Sequence, residues 1–467
     1  MRLPPGESDG PRTTWIPSRA ACASSGARRP DTRNERCITE RRGARGMSEG
    51  ESPGRGERLR IQWAGPGLIM AVSGIGASDV ISATVGGAMH GTTLLWALVL
   101  GVFFKFTLTE GLARWQLATG TTILEGWARH LPRWVLVLFF GYVVVWSIAV
   151  GGALLSGCGL AIENITRGRV PFVWGALAHG VVVFGFVYTA HTKRFATIMK
   201  PLIAIMFISV VSCAALIFRE PAEVLRGLFI PQLPRAGGPY VLSLIGGIGG
   251  SLTILSYSYL LRDEKQDHPA NLGRVRLDLA MAYLFTAIFG LSIMLIAARV
   301  FHATGIVITD QDAVSRMAGQ LEEIVGPVGF YVYSLGFWAA VAASLMGVWQ
   351  TVPHIFADCW SHLRKRTHTP DHEGSAPKSR NYTTALIFMA TVAAPLVFLR
   401  RPLLLVVAFT IIGSFFIPFL AATLLHLNNR VRWASPVPKN KAAANIILVI
   451  VLVLFLALSA IEIGRLF

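Results

Sequence analysis

Hydrophobic segments of roughly 20 residues, separated by short polar stretches, follow one another from residue 65 to the C-terminal end of the chain. A helix of about 20 apolar residues crosses the hydrocarbon core of a bilayer, so each segment is predicted to be a transmembrane helix. The predicted spans are residues 65–89, 93–117, 134–162, 172–190, 195–218, 240–262, 276–301, 326–352, 382–400, 403–427 and 443–465. The pattern predicts an all-α membrane protein with 11 transmembrane helices.

The composition agrees with this class, because the 467 residues are 53% hydrophobic and only 15% charged, with a mean hydropathy of +0.54. Residues 1–60 differ, with 13 Arg against 8 Asp and Glu and many Gly, Ser and Pro. Such a segment is predicted to be a disordered, Arg-rich cytoplasmic arm. Met47 is an alternative start, so part of this arm is absent if translation begins there. Residues 61–430 are predicted to hold spans 1–10, and residues 431–467 one extra C-terminal span.

The net charge of +17 is distributed along the chain as membrane topology requires. A cytoplasmic N-terminus places most loop Lys and Arg residues on the cytoplasmic side, as the positive-inside rule demands. We therefore expect a multi-pass protein of a bacterial inner membrane, with its N-terminus in the cytoplasm and its C-terminus outside. The arginines of the arm are expected to contact anionic membrane lipid, and no nucleic-acid partner is expected.

Two pentapeptides rich in glycine interrupt the middle of spans 1 and 6. They are Gly74–Ser78 and Gly247–Ser251, five spans apart. An odd number of spans reverses the orientation of a helix, so the pair predicts a 5+5 inverted repeat with discontinuous spans 1 and 6. Glycine and serine at this depth suit backbone that unwinds around a cavity. The alternative is that these small residues serve close helix packing.

Charged residues near the centre of two spans are candidates for a functional site. Asp79 follows the first glycine cluster, and a carboxylate beside unwound backbone favours a cation site. The alternative is a structural ion pair with Lys105 in span 2. Lys105 itself could keep Asp79 charged, occupy the place of a coupling ion, carry protons, or extend to the membrane interface. Ser78 and Ser251 are candidate polar groups of the same pathway.

Span 2 also carries Glu110 and Arg114, whose i, i+4 spacing predicts an ion pair towards its cytoplasmic end. This pair is expected to act as a structural clasp or as the latch of a gate. Lys105 lies about 140° from Glu110 around the helix and is expected to face other partners. The sequence contains no dinucleotide or phosphate-binding loop and no hydrolytic triad, so an enzyme is not predicted.

Three stretches resemble the Nramp family of divalent metal transporters, which have a leucine-transporter-like fold. They are GPGLIMAVSGIGASDV in span 1, LLWALVLGVFFKFTLTEGLARWQLATG in span 2 and GIGGSLTILSYSY in span 6. The resemblance covers roughly residues 60–430. It implies that residues 61–430 form a transport core, which moves a divalent metal cation by alternating access, either uncoupled or in symport with protons. No cofactor is implied.

The resemblance implies that the family's metal site corresponds to four positions of this chain, and all four hold residues other than the family's usual ones. The family's aspartate falls on Gly76 and its asparagine on Asp79, while its span 6 methionine and asparagine fall on Thr253 and Ser256. Oxygen donors without a thioether favour hard ions, so Mg²⁺ or Mn²⁺ is the expected substrate. The family's acidic pair in span 3 has no counterpart here, which leaves proton coupling open.

Two other functions remain open at this point. The same fold could carry a small organic solute, because several metal ligands of the family are replaced and the predicted cavity is lined by Gly and Ser. The chain could also be a membrane sensor or assembly partner that transports nothing. A permanent pair between Asp79 and Lys105 would suit that third reading.

Overall fold

The computed structural model describes residues 66–189, 192–217, 220–234, 238–264, 266–302, 313–364, 379–430 and 436–464. These residues all belong to one compact unit, Trp63–Phe467. Every regular element in them is a helix, as the hydropathy pattern predicts. The predicted arm at residues 1–60 lies outside the described residues and stays a prediction.

The described ranges contain seventeen α-helices. They are α1 Pro66–Gly74, α2 Ala77–His90, α3 Leu95–Thr119, α4 Ile123–His130, α5 Arg133–Ile165, α6 Phe172–Thr189, α7 Thr192–Ile217, α8 Pro221–Phe229, α9 Gly238–Gly247, α10 Ser256–Asp263, α11 Leu272–Ala297, α12 Ala313–Val325, α13 Pro327–Arg364, α14 Arg380–Ala393, α15 Pro402–Ser414, α16 Phe416–Arg430 and α17 Ala442–Gly464. Short 3-10 turns lie at Leu252–Leu255, Pro269–Asn271 and Ala394–Leu399, and a π-helical turn at Ala298–His302 follows α11.

Nine helical segments within the described residues are long and apolar enough to cross a membrane, and they coincide with predicted spans 2–10. The first predicted span is divided between α1 and α2, and the last corresponds to α17. The largest difference is in span 8, where α13 continues to Arg364 instead of ending near residue 352. Its last turns hold the buried polar residues His354 and Asp358. A span predicted from apolar residues alone ends before these polar positions.

The two interrupted helices lie in the middle of the bundle. Helix α1 packs against α11 and α13, whereas α9 packs against α2, α3 and α15. Residues 244–261 are all buried, while α6 exposes large apolar side chains such as Trp174 and Val181. Peripheral helices therefore present the apolar surface that a lipid bilayer would cover, and the interrupted helices are shielded from it.

Candidate cation site at two helix breaks

The first break separates α1 from α2 at Ile75 and Gly76. Gly76 is extended, with φ −148° and ψ −151°, so its backbone leaves the helix without entering the left-handed region. Ser344 of α13 lies beside this break, and its Oγ donates a hydrogen bond to the carbonyl oxygen of Ser73 at 3.0 Å. A Cβ on Gly74 would lie 2.7 Å from the carbonyl oxygen of Gly249. The first break therefore touches the backbone of the second.

The second break follows the end of α9 at Gly247. Gly249 and Gly250 have φ values of +74° and +71°, a conformation that side chains other than glycine adopt at a steric cost. A 3-10 turn then leads into α10 at Ser256. The predicted discontinuities in spans 1 and 6 are thus both present. Each lies where the sequence places its glycine cluster.

Asp79 joins the two breaks. Its side chain is only 1% exposed. Oδ2 accepts a hydrogen bond from the backbone N–H of Gly76 at 3.0 Å, and Oδ1 accepts one from Gly249 at 2.5 Å. The first bond caps the start of α2, where a carboxylate is favoured by the unpaired N–H groups and the helix dipole. Asp79 is therefore both a cap of its own helix and a tie to the second break.

Lys105 of α3 also contacts the second break. Its side chain is 1% exposed, and Nζ donates to the carbonyl oxygens of Gly246, at 2.9 Å, and of Ile248. The ammonium also interacts electrostatically with Asp79. Lys105 is thus fixed among buried backbone groups and does not extend to an interface. Backbone carbonyls as its partners were not anticipated from the sequence.

The predicted hydroxyl donors take different positions around the breaks. Oγ1 of Thr253 is buried and has no hydrogen-bond partner among the described residues. Ser256 is occupied, since its Oγ donates to Oγ1 of Thr351 at 2.9 Å. Ser251 accepts a hydrogen bond from Nε1 of Trp146 at 3.2 Å. Thr253 is therefore the one of these three hydroxyl groups that has no hydrogen-bond partner among the described residues. The side chain of Ser78 lies outside the described part of the chain.

Glu110 and Arg114 belong to a separate ionic cluster. Oε2 of Glu110 lies 2.7 Å from Nη2 of Arg114, and Oε1 lies 2.8 Å from Nη2 of Arg276 on α11. Arg114 also donates to the carbonyl oxygen of Lys439 at 3.1 Å. This cluster ties α3 to α11 and to the segment before α17. Its contacts differ from the partners of Lys105, as expected from the helical spacing, and its role as a clasp or as the latch of a gate stays a prediction.

A further carboxylate, the partly buried Asp278 of α11, was missed in the sequence. Its Oδ2 accepts hydrogen bonds from the N–H of Gly67 at 2.7 Å and from the hydroxyl of Tyr257 at 3.1 Å. It thus holds the start of α1 against α10 and α11. An acid two residues inside a predicted span is the signal that could have indicated it.

Polar side chains of α10 and α13 also meet beyond the breaks. The hydroxyl of Tyr259 donates to Oδ2 of Asp358 at 2.8 Å, and its ring stacks on His354 at 5.5 Å between centroids. Arg262 of α10 donates to Oε1 of Glu125 at 3.1 Å. The sequence gives a weak signal for this contact, because Thr351, His354 and Asp358 recur on one face of an apolar helix.

The described residues contain no group of three or more His, Cys, Asp or Glu side chains arranged to hold a metal ion. The oxygen donors at the breaks are therefore one carboxylate, hydroxyl groups and backbone carbonyls. Such donors suit a hard cation that keeps part of its hydration shell better than a soft transition metal.

Apolar helices that surround two broken helices and a buried carboxylate define an integral membrane protein of the transporter type. The model of the Nramp family, described as natural resistance-associated macrophage protein-like, matches residues 67–464. The chain belongs to the Nramp family, whose characterised relatives are metal transporters and not enzymes.

Two relatives illustrate the similarity in sequence. The chain is 28% identical over 311 residues to the divalent metal cation transporter MntH of Chromohalobacter salexigens, covering 62% of this chain and 70% of the relative. It is 24% identical over 301 residues to the metal transporter nramp1 homolog of Dictyostelium discoideum, covering 62% of this chain and 55% of the relative. The similarity thus leaves a large part of the second relative unmatched.

The fold is similar to that of a manganese transporter from Eremococcus coleocola, solved in complex with an aromatic bis-isothiourea substituted compound. The TM-score is 0.67 at 15% identity, and the similarity covers 86% of each chain. An identity this low supports the fold alone.

Proposed function

We propose that the protein transports a divalent metal cation across the membrane, with Asp79 as the charged ligand. The observation that carries the proposal is the meeting of two helix breaks around a buried carboxylate. Membership of the Nramp family supplies the class of substrate. In the described conformation the carboxylate of Asp79 accepts hydrogen bonds from the N–H groups of Gly76 and Gly249. When the ion binds, it replaces these N–H groups as the partner of the carboxylate.

The ion is proposed to be a hard one, Mn²⁺ or Mg²⁺. Thr253 offers an acceptor that has no partner among the described residues, and Ser256 can turn from Thr351. Gly76 contributes only backbone groups. The charge of Lys105 offsets that of Asp79, so the site attracts a divalent ion weakly. The ion is therefore proposed to keep several water molecules, as Mg²⁺ does in most protein sites.

Alternating access is proposed to move the two halves of a 5+5 inverted repeat around these breaks. In this arrangement α1 and α2 together form span 1, the nine long segments form spans 2–10, and α17 forms an extra eleventh span. The N-terminus is placed in the cytoplasm and the C-terminus outside, following the distribution of Lys and Arg. Protons are the candidate coupling ion, and a gradient of the metal alone is the other driving force considered.

The test is uptake of Mn²⁺ and Mg²⁺ into proteoliposomes by the wild type and by Asp79→Asn, with internal pH recorded at the same time. Asparagine keeps the shape of the side chain and removes its charge. Metal uptake is expected to be lost while the protein remains folded. A change of internal pH during wild-type uptake would indicate coupling to protons.

A matched control is Asp278→Asn, which removes a partly buried carboxylate that also accepts a hydrogen bond from a backbone N–H at the start of a helix. This variant is expected to be less stable but to keep most of its metal uptake. Normal uptake by Asp79→Asn would refute the site. Equal loss in both variants would mean that Asp79 acts through stability alone.

Transport of a small organic solute is the second candidate. Two observations favour it. The described residues contain no group of three or more His, Cys, Asp or Glu side chains arranged to hold a metal ion. The ammonium of Lys105 also binds backbone carbonyl oxygens that a metal cation could otherwise use as ligands. In this case neither metal would enter the vesicles although the protein is folded. Thermal stabilisation by an amine or an amino acid, and by neither metal, would then identify the substrate class.

A further inference from the structure

The end of helix α9 has a positively charged partner within the protein. Nζ of Lys105 donates to the carbonyl oxygens of Gly246 and Ile248. The last carbonyls of a helix have no partners in their own helix and carry the negative end of its dipole. The ammonium therefore binds the place on this half-helix that has the greatest attraction for a cation.

The two glycines of the second break create this place. Gly249 and Gly250, both with positive φ, turn the chain away from the axis of α9, so the helix cannot continue and pair these carbonyls. A Cβ on Gly249 would lie 3.7 Å from Cδ of Lys105, which puts the lysine side chain directly against the turn. Buried carbonyls without a donor would destabilise the fold, and the lysine supplies the donor.

Lys105 and Asp79 bind the same short stretch of backbone. The ammonium donates hydrogen bonds to the carbonyl oxygens of Gly246 and Ile248, and the carboxylate accepts a hydrogen bond from the N–H of Gly249. Both side chains are 1% exposed, so water does not replace these bonds. The two opposite charges leave the stretch without net charge.

We propose that Lys105 is the resident cation of the second helix break, where it takes the place of a free monovalent cation. Removing its side chain beyond Cβ should convert the break into a binding site for a small primary ammonium ion. This inference does not depend on which substrate the protein carries, because it concerns how the broken helix is held in its described conformation.

The test is chemical rescue of Lys105→Ala. The substitution removes three methylene groups and the ammonium, which together correspond to n-propylammonium. We expect the Tm of the purified variant to fall by roughly 5–10 °C, as for a buried charge left without its partner. Addition of n-propylammonium chloride should recover most of this loss. Tetramethylammonium chloride at the same ionic strength has no N–H donor and should recover none.

The matched control is Lys105→Met, which fills most of the space and has no donor. Its Tm should be low and should not respond to n-propylammonium, and the wild type should not respond either. The proposal is overturned if Lys105→Ala is as stable as the wild type, or if both salts stabilise it equally. Failure to obtain folded Lys105→Ala when n-propylammonium is present throughout purification also counts against it.

Discussion

The helix ends at the two breaks, the start of α2 and the end of α9, are stabilised by charges of opposite sign. The break between α1 and α2 leaves the N–H groups at the start of α2 without partners in the helix, and the carboxylate of Asp79 accepts a hydrogen bond from one of them. The break after α9 exposes the carbonyl groups that end α9, and an ammonium, Lys105, donates to two of them. The comparison indicates that the backbone groups freed by each break select the sign of the side chain beside it.

The breaks also use glycine for different reasons. Gly76 has an extended backbone that other residues adopt, and glycine is required there because Ser344 lies against it. Gly250 has φ +71°, so glycine is required by the backbone itself. Substitutions at these two positions should therefore fail in different ways.

The largest effect is expected for Gly250→Ala. The left-handed conformation costs a residue with a side chain about 1–2 kcal/mol, and the new Cβ would lie 2.8 Å from Cα of Gly74. With about 1–3 kcal/mol for overpacking, unfolding should become easier by about 2–5 kcal/mol in total. Thermal unfolding in detergent measures this effect.

The control is Gly185→Ala in α6, where a Cβ meets no atom within 4 Å among the described residues. Alanine is a better helix former than glycine by about 1 kcal/mol, so this variant should be equally stable or more stable. If both alanine variants behave alike, the backbone of the second break is not under the constraint described.

A smaller effect is expected for Gly76→Ala, because only packing is disturbed. The added Cβ would collide with the side chain of Ser344 and should cost about 1–3 kcal/mol. Replacing Ser344 by glycine in the same protein should recover part of this loss. No such rescue is expected for Gly250→Ala, whose obstacle includes backbone. Comparing the Tm of the double variant with that of Gly76→Ala checks the difference.

The smallest effect on stability is expected for Thr253→Val. The hydroxyl is buried without a partner among the described residues, so an apolar group of the same shape should change the free energy of unfolding by less than about 1 kcal/mol. Metal uptake should nevertheless fall, since the free acceptor is gone. Ser256→Ala gives the contrast, because it also breaks the bond to Thr351. Full metal uptake by Thr253→Val would show that this hydroxyl is not a ligand of the ion.

The sequence is sufficient to predict the helix breaks and the two central charges. Glycine clusters in apolar segments have few structural uses, and a buried Asp79 or Lys105 is too costly to be incidental. The family to which the chain belongs was also recognisable from its motifs in spans 1, 2 and 6. These features are local, so a single pass along the chain finds them.

The partners of these charges could not be predicted, because they are backbone atoms. Every residue has a carbonyl, and only the turn at Gly249 and Gly250 directs those of Gly246 and Ile248 towards Lys105. The contact between Asp278 and Gly67 joins residues 211 positions apart, which no local pattern encodes. Tertiary packing determines both.

The most direct test of the account is Mn²⁺ uptake by the double variant Asp79→Asn, Lys105→Met, measured beside its thermal stability. Because both charges are removed together, neither is left buried without its opposite, and the loss of stability should be less than the sum of the two single losses. The account predicts a folded protein that takes up no Mn²⁺. Wild-type uptake by this variant would contradict it, because the charges would then serve only to hold the helix breaks together.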